Sequence, residues 1–128
     1  MGSSKDVVIT LFNNKMKELL VDLLSVFPQD SDFLMFQNMN NIIVRTLPDK
    51  PIMLFKKHVN GLEEMIMNKN DTMFLEDEFG KDMIEDPEQI DIIAKLKNYW
   101  KNMSRENQDV IWQYFQLLLK ISQKYNTT

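Results

Sequence analysis

Between Asp86 and Tyr125 the chain carries two helix-start signals, each followed by oily residues at helical spacing. Asp86-Pro87-Glu88-Gln89 combines a capping side chain with a proline at the first helical position, where its missing N–H costs nothing. Ile90, Ile93, Leu96, Trp100 and Met103 then form an apolar line, which predicts a helix from Pro87 to about Asn102. Ser104-Arg105-Glu106-Asn107 opens a second helix, with Glu106 set against the positive end of its dipole. Ile111, Tyr114, Phe115, Leu118, Ile121 and Tyr125 carry that helix to about Tyr125, widened by Val110, Leu117 and Leu119. Two amphipathic helices joined by a short turn predict a hairpin, which must bury its stripes on other helices.

Those helices are found upstream. Val8, Phe12, Met16, Leu19, Leu20, Leu23 and Phe27 make one broad stripe from Asp6 to Phe27, widened by Leu11 and Leu24. Pro28 ends it, because the residue before a proline is pushed out of helical geometry. Asp30 or Ser31 caps a second helix over about Asp32 to Thr46, where Phe36, Met39, Ile43 and Leu47 share a face and Met35 with Met39 is expected in the core. Asn38, Asn40 and Asn41 weaken this helix, so burial has to hold it. Pro48-Asp49-Lys50-Pro51 breaks the chain, and Ile52, Leu54, Phe55 and Val59 follow on a third helix. Gly61 is a C-cap or a kink before Leu62, Met65 and Ile66, and Asn68-Lys69-Asn70-Asp71 is a turn. The expectation is an all-α fold: one compact bundle of five to six helices spanning residues 1–128, loose at 1–5 and 126–128. In it the C-terminal helical hairpin covers the stripe of the first helix.

Charge is segregated along this frame. Residues 71–91 hold nine acids and one base, residues 92–128 hold two acids and six bases, and residues 1–70 balance at eight of each. The acidic stretch also contains Met73, Phe74, Leu75 and Phe79, so a short helical or irregular segment pinned by aromatics is expected there. One alanine among 128 residues, with abundant Asn, Lys, Ile, Met and Phe, points to an AT-leaning coding sequence rather than to selection for helix propensity.

Catalytic and metal chemistry find little footing. The acids around Gly80 do not match a calcium loop, whose register would require ligands at Leu75 and Phe79. His58 is the only histidine and the chain has no cysteine, so neither a zinc site nor a thiolate nucleophile is expected. His58 follows Lys56 and Lys57 and is expected at the surface, without a nucleophile at partner spacing. The three glycines are isolated, so no phosphate loop is present in sequence. No catalytic residue, cofactor or metal is assigned. A net charge of −4 disfavours non-specific nucleic-acid binding, despite the basic groups Arg45, Lys50, Lys56, Lys57 and Lys95, Lys97, Lys101, Arg105. No run of 18 apolar residues exists, so no membrane span is expected.

The candidate partner-binding residues are Glu76, Asp77, Glu78 and Asp82 on the acidic face, Lys97 and Lys101 on the basic hairpin, and Trp100 and Trp112. The charged sets offer complementary surfaces for a protein partner or for self-association. The indoles fit the core, or an interface as anchors.

Val26-Phe27-Pro28-Gln29-Asp30 closing the first helix, Pro51 leading an apolar helix, and the Phe- and acid-rich middle form a recognisable succession. The chain then closes with Asn102-Met103-Ser104-Arg105-Glu106-Asn107 running into Tyr114-Phe115-Gln116-Leu117-Leu118. The pattern resembles small helical proteins of large DNA viruses of algae and protists. The resemblance implies a shared helical fold and a viral origin, and no activity. The expected function is a non-catalytic interaction module in the cytoplasm of the infected cell. The alternatives are a virion component assembled through acidic and basic ends, and an accessory nucleic-acid binder.

Overall fold

A computed structural model describes residues 4–75 and 92–127, and every regular element among them is helical. The elements are α1 (Ser4–Val26), α2 (Ser31–Thr46), α3 (Lys50–Val59), α4 (Glu63–Met67), α5 (Thr72–Leu75), α6 (Ile92–Lys97), a 3-10 turn (Trp100–Asn102) and α7 (Arg105–Thr127). The long helices are α1, α2, α3 and α7. The expected N-cap at Asp86-Pro87 and the acids from Glu76 to Asp91 lie outside the described residues.

The stripe of α1 is buried as its spacing requires: Val8, Phe12, Met16, Leu19, Leu20 and Leu23 all face the core. Leu11 does not share it: it lies at the flank of the stripe and is 50% exposed. The helix ends with Phe27 N–H donating to the Leu23 carbonyl at 2.9 Å, and the chain turns through Pro28. Asp30 caps α2, its carboxylate accepting from the Asp32 amide at 2.9 Å. Ser104 caps α7 in the same manner, its hydroxyl accepting from the Asn107 amide at 3.1 Å. Asp49 makes no such bond, so α3 starts instead on Pro51 in its first turn. Gly61 adopts φ +86°, a left-handed value that suits glycine and separates α3 from α4.

α7 packs along α1, and also touches α3 and α4. The C-terminal hairpin is therefore unequal. Its second arm is a 23-residue helix, while the described part of its first arm is six residues lying on α5 and the 3-10 turn. The expected helix does not continue to Asn102. After Lys97 the backbone tightens: the Asn98, Tyr99, Asn102 and Met103 amides each donate to the carbonyl three residues back, at 3.0–3.2 Å. Such a tightened turn is the usual way a helix stops at residues of poor propensity such as Asn98.

That turn swings Trp100 inward. Phe74 of α5 stacks on it with ring centroids 4.2 Å apart, and Trp112 and Phe115 lie 5.1 Å and 5.7 Å from the same ring. A second cluster joins Phe27 to Tyr99 at 4.2 Å and to Phe33 at 5.5 Å. Met73 and Phe74 are fully buried, whereas Leu75, grouped with them from sequence, is 44% exposed. Truncating Phe74 removes the ring that all three neighbours share. Phe74→Ala should lose about 3–5 kcal/mol in urea denaturation. Leu11→Ala should stay within about 0.5 kcal/mol of the parent.

Candidate functional site

The residues named from sequence are not gathered into one place. Trp100 and Trp112 are 1% and 0% exposed and meet edge to face at 5.4 Å, so they are core residues and present no indole to a partner. Their neighbour Phe74 explains this, since three large rings exclude water only together. Lys101 is exposed on the 3-10 turn and Lys97 is half-buried at the end of α6. Glu76, Asp77, Glu78 and Asp82 lie outside the described residues.

The basic segment turns partly back on its own chain. Lys95 Nζ lies 2.9 Å from Asp30 Oδ2 and 2.7 Å from Asp32 Oδ2, and Tyr99 Oη donates to Asp30. Lys95 and Asp30 are largely buried, while Asp32 is half exposed and adds little. The Tyr99 hydroxyl, and then Lys95 and the Asp32 amide, hold the Asp30 carboxyl below the usual carboxylate range against the opposing effect of burial. The two carboxylates, Asp32 first, hold the Lys95 ammonium above its usual range. The hydrogen bond to Asp30, together with burial, raises the Tyr99 phenol above its usual value. Arg105 lies 3.8 Å from Asp71, the first acid of the acidic stretch, and 3.5 Å from Asp109; all three are exposed enough for solvent to screen them.

His58 is not at the surface. It is 6% exposed, because it falls one helical turn after Phe55 and shares the inward face of α3 with Pro51, Ile52, Phe55 and Val59. It borders an apolar cleft whose described walls are Met16, Leu20, Asn40, Ile43, Pro51, Leu54, Phe55, Ile92, Ile93 and Phe115. Helical spacing was the signal for its burial, and the adjoining lysines masked it.

The second missed feature is the outward face of α2. Phe33 and Asn40 are its only buried residues, whereas Leu34, Met35 and Ile42 are 50%, 48% and 53% exposed. Met35 is thus a surface residue, not core. Met35 and Ile42 stand two helical turns apart on one line, with Asn38 between them and Leu34 beside it. From Phe33 to Val44 the helix carries no charged side chain. Solvated helix faces normally do, and interface cores are depleted of charge and enriched in Met. This arrangement offers apolar side chains and neutral amides, with no group placed for acid–base chemistry.

Asp30 couples the cap of α2 to the far end of the chain, so its charge should be readable in stability. Its lowered proton affinity stabilises the fold above the ordinary carboxylate pKa of about 3.9, and this is lost as pH falls through the folded value. Lys95 contributes below its ordinary pKa of about 10.4, and that part is lost as pH rises through its folded value. Asp30→Asn should cost about 1–3 kcal/mol in urea denaturation at pH 7. The gap between variant and parent should narrow at pH 3, and an unchanged gap would contradict the assignment. No protein family, curated protein or solved structure matches this chain.

Proposed function

We propose that this chain is a non-catalytic protein–protein interaction module that receives an amphipathic helix of a partner on the outward face of α2. The observation that carries the reading is the uncharged run from Phe33 to Val44, with Leu34, Met35 and Ile42 about half exposed along it. Apolar anchors at a spacing of seven and eight residues match the way one amphipathic helix lies against another. Methionine suits such a face, since its flexible thioether adapts to the surface it meets. The partner helix would present apolar side chains with few charges, because a buried charge opposite neutral amides would lose its hydration without compensation.

Assembly through opposite charges is the weaker reading. Lys95 is spent on Asp30 and Asp32, and Arg105 reaches Asp71 and Asp109, all within one chain. With the resemblance to proteins of large DNA viruses, the place of action is the cytoplasm of the infected cell. The test is capture from the native source by cross-linking and mass spectrometry, with Met35→Lys/Ile42→Lys as the control. Both positions are exposed, so the double variant should fold with helicity unchanged and stability altered by less than about 1 kcal/mol. A partner held through this face should be retained at least about tenfold less well by the variant, equivalent to roughly 1.4 kcal/mol. Equal retention by parent and variant would remove α2 from the interface.

A further inference from the structure

The outward face of α7 has a symmetry of its own. Glu106, Val110, Gln113, Leu117 and Lys120 are all exposed and follow one another at spacings of three and four residues, opposite the buried Ile111, Phe115 and Leu118. Counted from Gln113, the acid lies seven residues before and the base seven residues after, while Val110 lies three before and Leu117 four after. At a rise of about 1.5 Å per residue, Glu106 and Lys120 stand about 21 Å apart on one helix, with the two apolar residues between them.

Val110 and Leu117 are 38% and 40% exposed, and they border a shallow groove shared with Lys15, Gln113 and Tyr114. The charged and phenolic groups of that groove are already met within the chain. Lys15 Nζ lies 2.8 Å from Glu18 Oε2, and the Tyr114 hydroxyl donates to Asp22 on α1. Glu106 and Lys120, by contrast, form no ion pair among the described residues. They differ in this from Lys95 and Arg105, which meet acids of their own chain. Solvation alone would favour polar side chains at the centre of such a face as well as at its ends.

We propose that this face pairs with the same face of a second copy of the chain, α7 against α7 and antiparallel, about a twofold axis at Gln113. Such a pair is isologous, so every contact occurs twice. Glu106 meets the partner's Lys120, Val110 meets the partner's Leu117, and the two Gln113 amides face each other at the axis. A parallel pair would set acid against acid and base against base, so charge selects the antiparallel arrangement. Lys124 falls past the end of the opposing helix, since α7 begins at Arg105. The patch is apolar only at its centre, which places the dimer in the weak, reversible class. The outward face of α2 takes no part in it, so either surface can fail without the other.

The test is sedimentation equilibrium of the full chain at low salt, where exposed charges are least screened. A monomer–dimer equilibrium with a Kd below about 1 mM, and no larger species, is expected. Glu106→Lys and Lys120→Glu are single exposed changes that each turn both end pairs repulsive. Each should raise the Kd at least about tenfold while the helical circular dichroism stays unchanged. Mixed in equal amounts, the two variants should dimerise with each other to within about threefold of the parent, because every end pair is then opposite in charge. A parent that stays monomeric to about 1 mM, growth beyond a dimer, a dimer that neither variant weakens, or a mixture that recovers no association would each overturn the proposal.

Discussion

The stack of Phe74 on Trp100 holds together the part of this chain that has least reason to be helical. α4, α5 and α6 are five, four and six residues long as described, far below the length at which a helix persists alone in water. Burial has to supply what propagation does not. Phe74 does this by touching Trp100 from the 3-10 turn, and Trp112 and Phe115 from α7, so one ring joins α5 to two later elements. α7, which packs along α1, supplies two of these rings. Gln116 ties the arrangement from the polar side, donating to the carbonyls of Ile66 and Met67 where α4 ends. Satisfying those carbonyls matters because a helix of five residues is nearly all terminus.

Periodicity made the long elements legible. The seven residues proposed for the stripe of α1 are buried or half-buried, and the caps at Asp30 and Ser104 form the bonds their side chains suggested. Stripe width was less legible. Leu11, Val110 and Leu117 extend apolar stripes on paper, yet each is 38–50% exposed, because a neighbouring helix covers only part of a cylinder. His58 shows the converse: its helical position outweighed its polarity and the lysines before it. The end of α6 at Lys97 was hidden, since Trp100 continues the apolar spacing and only the tightened turn at Asn98 reveals that it enters the core by another route.

The sites were less readable than the fold for a physical reason. The Asp30, Lys95 and Tyr99 cluster joins positions more than sixty residues apart, and local pattern carries no information about which carboxylate meets which ammonium. The asparagines of α2 were visible only as a weakness in helix propensity. Their placement beside Asn13, Asn14 and Lys17 of α1 required knowing that α2 folds back on α1 and which way it is turned about its own axis.

That rotation is the step linking the two faces of α2. A helix chosen only to fill a core would turn Met35 and Ile42 inward and give Asn40 to the solvent. Here Asn40 is buried and Ile42 is exposed, as befits positions about 160° apart around the helix. The first turn fixes the outcome. Asp30 is held by Tyr99 and Lys95 while it caps the helix, and Phe33 is fully buried against Phe27 and Tyr99. With one charged group and one ring anchored on the same turn, α2 cannot rotate to bury its better apolar face without breaking both. The cost of a buried amide and of exposed Leu34, Met35 and Ile42 is therefore imposed at the N-terminal end of the helix. It is offset by the aromatic and ionic contacts made there, and it leaves α2 with a polar seam on one flank and an uncharged apolar face on the other.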